Sequence, residues 1–133
     1  MNNPPKSASK EDRIIVMGNT EYPKSIVALS KYVAKNFSSI CYVSVNMPHS
    51  SLIDTLKEKK INHKGFFVID LISQLVSTEP LKQSPDCIYV NSPNDPNEIG
   101  SAIDKAFKIK KFDVFDLFSL VKSLLIYVLS FLQ

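Results

Sequence analysis

Hydrophobic positions along this chain switch repeatedly between two rhythms. RIIVMG at 13–18 is a short, continuous apolar run bounded by charge and glycine, the pattern of a central strand covered on both faces. From Pro23 the rhythm becomes helical, with Ile26, Leu29, Val33 and Phe37 at three- and four-residue steps and Lys24, Lys31 and Lys35 mostly off that stripe. The helix is predicted over 23–36, with Pro23 at its first position, where a missing N–H costs nothing. ICYVSV at 40–45 predicts a second buried strand. Asn46-Met47-Pro48 ends it, and Ser50 or a neighbour is expected to cap a helix through Leu52, Ile53 and Leu56 that fades in Lys57-Glu58-Lys59-Lys60.

Gly65 restarts the chain, and 66–69 form a third strand running into Asp70. Leu71, Ile72, Leu75 and Val76 allow one or two helical turns, followed by loop through TEPLKQSPD. DCIYVN at 86–91 predicts a fourth strand. Asp95-Pro96-Asn97-Glu98 then combines a capping aspartate, a proline at the first helical position and a glutamate three residues after the cap. Ile99, Ala102, Ile103 and Ala106 follow on one face, and Lys108, Lys110 and Lys111 crowd the far end. FDVFDL at 112–117 is the fifth strand expected. Beyond it, Leu117, Leu120, Val121, Leu124, Leu125, Val128 and Leu132 recur at helical spacing, predicting a C-terminal helix over 117–132. Ile126, Tyr127 and Phe131 make that helix apolar almost all round, so it needs cover from the fold, a partner or a membrane surface.

Strand and helix thus alternate with short connections. The pattern predicts an α/β fold: a three-layer sandwich with a mainly parallel central sheet of about five strands. The 133 residues suit a single domain over 13–133, and the polar residues 1–12, with their Pro-Pro step, read as a disordered lead-in.

Composition adds limits. The formal net charge is +3, and every cation but Arg13 is a lysine. Without guanidinium forks there is little case for sequence-specific nucleic-acid reading. Cys41 and Cys87 each open an apolar run and form no CxxC, so buried thiols in a reduced, cytoplasmic setting are expected. No apolar leader stands at the N-terminus, and the stretch 114–132, with Asp116, Lys122 and three serines, predicts no membrane span.

The chemistry centres on IIVMGNTEYPKS. A phosphate loop needs glycines for backbone approach, a lysine for the outer phosphates and a Ser/Thr for magnesium at a helix N-terminus. Gly18, Lys24 and Ser25 occupy the first, seventh and eighth places of GxxxxGK[ST]. Pro23 replaces the second glycine and removes a donor, while Glu21 puts negative charge where phosphate would lie. His49 and His63 have no carboxylate or cysteine at ligand spacing and read as surface residues. Asp70, Asp113 and Asp116 end strands, where open α/β sheets present ligand groups.

The order of segments is similar to RecA-like ATPase domains of the KaiC type. CYVSVNMPHSSLIDTLKEKKI resembles that family's second strand and helix, GFFVIDLIS the strand closing the unit, and KFDVFDLFSLVKSLLIY the metal-associated acidic strand. The resemblance implies nucleotide contact through Gly18, Lys24 and Ser25, with Asp116 holding magnesium through water. At the family's water-polarising acidic pair this chain has Asn46 and Met47, neither a general base. It therefore resembles a shortened, degenerate archaeal branch lacking the phosphate loop. No catalytic residue, metal site or cofactor is expected. The expected role is a regulatory or interaction domain with hydrolysis lost, binding a protein partner or itself through the helix at 117–132, with neither specific nucleic acid nor membrane as partner. The alternatives are a switch that binds ATP and magnesium without turnover, and a flavodoxin-like or receiver-like signalling module.

Overall fold

A computed structural model of the chain describes residues 13–18, 22–45, 47–92, 94–121 and 124–131, and the side chains within 27–45, 47–92 and 94–114. The expected lead-in at 1–12 lies outside the described residues, as do Asn19, Thr20, Glu21 and Asn46. The elements run β1 (Arg13–Gly18), α1 (Tyr22–Asn36), β2 (Ile40–Ser44), α2 (His49–Glu58), β3 (Phe66–Asp70), α3 (Ser73–Val76), β4 (Cys87–Tyr89), α4 (Pro96–Ile109), β5 (Val114–Val121) and β6 (Leu124–Phe131).

Six strands form one sheet in the order β1-β6-β5-β2-β3-β4. β5, β2, β3 and β4 are parallel neighbours. β6 is antiparallel to β5 and to β1. Alternation along the parallel strands sends successive side chains to opposite faces. Ile40, Tyr42, Phe66, Val68 and Cys87 pack under Leu29 and Val33 of α1 and Leu52 and Leu56 of α2. Cys41, Val43, Phe67, Ile69 and Ile88 pack on the other face against Ala102 and Ala106 of α4, with Phe112. The three layers follow from the crossovers. From β2 to β4 the chain advances one way across the sheet, then returns to β5, and right-handed connections then require α4 on the face opposite α2.

The α/β class and the helices on both faces agree with the sequence pattern. Three expectations need correction. First, the helix expected over 117–132 is not found: residues 117–121 complete β5 and 124–131 form β6, paired over eight registers from Val114↔Phe131 to Val121↔Leu124. A run apolar on every side lacks the polar face of a surface helix, and two eight-residue runs rich in Val, Ile, Phe and Tyr suit strands covered on both faces. Second, the sheet has six strands, three of its five pairings parallel and two antiparallel because of that hairpin, and is not the sandwich of about five strands that a RecA-like, phosphate-loop-type domain would give. Third, β1 is not central; among the described strands its one partner is β6. A continuous apolar run signals covered faces, and it carries no information about rank in the sheet. The order also differs from the flavodoxin-like 2-1-3-4-5, in which the first strand lies between its neighbours.

At the amino end of the parallel strands the connections are tightly joined. Ile40 N–H donates to the Gly65 carbonyl at 2.8 Å. A Cβ on Gly65 would stand 2.5 Å from the Ser38 carbonyl oxygen, so only glycine permits this approach.

Candidate functional site

Open α/β sheets hold ligands at the carboxyl ends of their parallel strands. Here that end is defined by Ser44 at the end of β2 and Asp70 at the end of β3, which are register partners. Both are fully buried.

Asp70 is surrounded by donors. Its Oδ2 accepts from the His49 N–H at 2.7 Å, and its Oδ1 from the Ile72 and Ser73 N–H groups at 2.8 and 2.9 Å. Ser73 Oγ also donates to Oδ2. One carboxylate thereby caps the start of α2 and of the short α3, supplying partners for N–H groups that no intrahelical carbonyl reaches. This changes the expected cap: Pro48 precedes α2, no side chain of the helix's own start serves it, and Ser50 is exposed. Ser44 Oγ likewise turns inward, donating to the Met47 carbonyl and accepting from the Met47 N–H at 3.2 Å. Asp70 and Ser44 are therefore satisfied from within the chain.

Beside them lies a second cluster. His49 Nε2 stands 3.4 Å from Asp86 Oδ2, with 16% of the histidine side chain exposed. The two atoms are close without hydrogen bonding, and Nε2 has no hydrogen-bond partner. The imidazole meets the Tyr89 ring edge-on, centroids 6.5 Å apart at 80°. Burial, reinforced by Asp70, pushes the Cys87 thiol up to about 12, so it is no nucleophile near neutrality. Burial and then the neighbouring Cys87 raise the Tyr89 phenol to about 12 as well. His49 is thus not the surface residue its spacing suggested, because Asp86 reaches it from a distant loop. Among the described residues no group of three or more His, Cys, Asp or Glu side chains is placed to hold a metal.

The expected nucleotide residues fall as follows. Gly18 ends β1, paired with Leu124, and Lys24 and Ser25 lie in the first turn of α1 beside Pro23. Asp116 does not end a strand; it is the third residue of β5, level with Tyr42 of β2 and Leu129 of β6. Through Leu124 and Val121, Gly18 lies level with a position five residues beyond Asp116, and β6 separates their strands. That offset is about 17 Å along the strand direction. The backbone thus keeps Gly18, Lys24 and Ser25 in one βα unit and leaves Asp116 apart from them. Asp113 does not end a strand either; it directly precedes β5 at the amino end of the parallel strands, where its Oδ2 accepts from Ser38 N–H, Ser38 Oγ and Ser39 N–H at 3.1, 3.0 and 3.1 Å.

Sequence reading missed Asp70's capping role and the His49–Asp86 contact. Asp70-Leu71-Ile72-Ser73 does carry a local signal, an aspartate with serine three residues on, the spacing that starts a capped turn. Nothing local marks the second pair, 37 residues apart by their numbers. Comparison with protein-family models, with curated proteins and with solved structures finds no match to this chain.

Proposed function

We propose that this chain is a non-catalytic regulatory or interaction domain on an α/β scaffold, derived from a RecA-like ATPase with hydrolysis lost. The observation that carries the reading is the saturation of Asp70. The carboxylate at the carboxyl end of β3 accepts four hydrogen bonds from within the chain, so it is spent on joining α2 to the 71–73 turn. Ser44 beside it closes on its own loop. The Cys87 thiol, which feels the Asp70 charge, keeps its proton. Descent from a RecA-like domain rests on the residue pattern at 18–25, 41–61 and 65–73; the strand order supplies no support for it. A cytoplasmic location belongs to the same proposal and rests on the two buried free thiols. Among the described residues no helix is long and apolar enough to cross a membrane.

The test is thermal unfolding with and without Mg-ATP. A ligand at a hundred times its dissociation constant stabilises the native state by about 2.7 kcal/mol, a shift easily read. No shift at millimolar Mg-ATP is expected. A shift that disappears in Lys24→Ala would replace this reading with the nucleotide switch.

A further inference from the structure

The amino end of the parallel strands, opposite Asp70, is where α1, α2 and α4 all finish. Their three connections are fastened together there. Asp113 holds the Ser38 and Ser39 N–H groups, Ser39 Oγ donates to the Lys111 carbonyl at 2.7 Å, and the Asp113 N–H donates to the Ser39 carbonyl at 2.8 Å. A cavity of about 680 Å³ opens between them, with Lys35 and Lys64 among its lining.

The exposed charge of this surface is cationic. Lys35, Lys57 and Lys108 stand in or beside the last helical turns, where they complement the helix dipoles. That explanation extends to the cap residues Lys59 and Lys110, whereas Lys60, Lys64 and Lys111 lie beyond the caps; all five are exposed. Glu58 is an exposed carboxylate among them, while Asp113 is engaged by the serines. Among the described residues the one ion pair is His49–Asp86, at the other side of the molecule, so none of these ammonium groups is neutralised by a carboxylate.

Lys60 adds an independent observation. It closes α2 in the left-handed conformation, with φ of 58°. The Ile61 N–H donates back to the Leu56 carbonyl at 2.8 Å and the Lys60 N–H to the Lys57 carbonyl at 3.0 Å. Glycine is the residue such a closure favours, so lysine here keeps a cation at the expense of stability. Close by in sequence to Lys108, Lys110 and Lys111, Phe107 and Ile109 are 43% and 49% exposed. Apolar side chains interspersed with lysines suit the boundary between headgroups and acyl chains.

We propose that the amino end of the sheet is a docking surface for an anionic lipid bilayer, with Lys59, Lys60, Lys64, Lys110 and Lys111 meeting lipid phosphates and carboxylates and Phe107 and Ile109 entering the interface. Hydropathy along the chain does not suggest this, because the surface is assembled from three connections distant in sequence. Single-stranded nucleic acid is also polyanionic, but it is held by free aromatic faces on which bases stack. Phe107 is the exposed large aromatic among the described residues, and its ring already packs on Phe112 at 5.3 Å. The proposal goes beyond the preceding reading and does not depend on whether the carboxyl end binds nucleotide.

The experiment is co-sedimentation of the full chain with phosphatidylcholine vesicles, with and without phosphatidylserine, alongside titration with a short oligothymidylate. Binding only to the phosphatidylserine vesicles is expected, weakening as salt is raised. Each lysine near the surface contributes about fivefold in partitioning, so Lys110→Gln with Lys111→Gln lowers binding by about 25-fold. Ile109→Ser lowers binding while leaving its salt dependence unchanged. Lys60→Gly binds more weakly yet melts at a higher temperature, which separates lost charge from lost fold. Equal binding to both vesicle types, no binding to either, or tighter binding to the oligonucleotide than to the vesicles overturns the proposal.

Discussion

Asp70 is a carboxylate with no solvent contact, tolerated because donors replace the water it gave up. Three of its four hydrogen bonds come from backbone N–H groups that begin two turns of helix, so removing the side chain orphans all three. Asp70→Ala is expected to lower unfolding free energy by about 3 kcal/mol, measured by urea denaturation. A change under 1 kcal/mol would mean that the carboxylate is not the cap described. Cys87 gives a residue-scale prediction of another kind. The folded thiol is raised from 9.0 to about 12 by burial, by Asp70 and, least, by Asp86, with the Tyr89 hydrogen bond partly opposing. Above pH 9 the unfolded chain sheds this proton while the folded chain keeps it, so the unfolded state binds fewer protons and stability falls with pH. The contribution is intact below pH 9 and is lost at up to about 1.4 kcal/mol per pH unit toward pH 12. Tyr89, raised from 10.0 to about 12 chiefly by burial, steepens the fall within the upper part of that window. Urea midpoints at pH 8 and pH 10 measure it, and Cys87→Ala should flatten the slope; an unchanged slope would mean that the thiol ionises freely in the fold.

Among the elements, α4 shows how far local chemistry reaches. Asp95 Oδ1 accepts from the Asn97 N–H at 2.9 Å, with Pro96 opening the helix. Glu98, three residues after the cap, does not complete a capping box; its carboxylate holds the Asn91 and Ser92 N–H groups at 2.6 and 3.1 Å and fastens the end of β4 to the helix. Asp95→Ala should therefore cost about 1 kcal/mol in unfolding free energy and Asp95→Asn much less, because asparagine caps nearly as well. If the two variants prove equally destabilised, charge rather than capping is what Asp95 supplies. α1, α2, α4 and the strands β1 to β4 were legible because each carries one rhythm with punctuation at its ends: Gly18 and Pro23, Met47 and Pro48, Asp95 and Pro96. The segment beyond 117 was not, although the strand expected at 112–117 does begin β5. Its apolar positions satisfy the helical spacing and the strand alternation together, and the choice was made by pairing with β2 and β1, which no local window contains. The site followed the same division. Gly18, Lys24 and Ser25 share one βα unit because they are neighbours in sequence, whereas Asp116 was assigned to a strand end on an assumed helix start that is a continuing strand.

For the whole molecule, a net charge of +3 conceals an uneven distribution. The carboxyl end of the parallel sheet holds Asp70, with Asp86 reaching His49 beside it, whereas helix ends and connections gather lysines at the amino end. The topology produces this segregation: in a parallel α/β sheet every crossover helix runs back toward the strand starts, so residues selected for helix C-termini accumulate at one end. Like charges gathered this way repel in the folded state and separate when the chain unfolds. Screening should then favour folding. At low ionic strength the Debye length of about 30 Å couples charges over most of a small domain, and at 1 M it is about 3 Å. The melting temperature is expected to rise as sodium chloride increases from 10 mM, most steeply below the physiological range. Chloride is the salt to use, since sulfate stabilises folds generally through exclusion from apolar surface and would blur the effect. Lys110→Gln with Lys111→Gln should raise the melting temperature at 10 mM salt and make its salt dependence shallower. A melting temperature that falls with added chloride in the unsubstituted chain would show that attractive pairs outweigh the lysine repulsion, and would count against an unneutralised cationic surface at the amino end of the sheet.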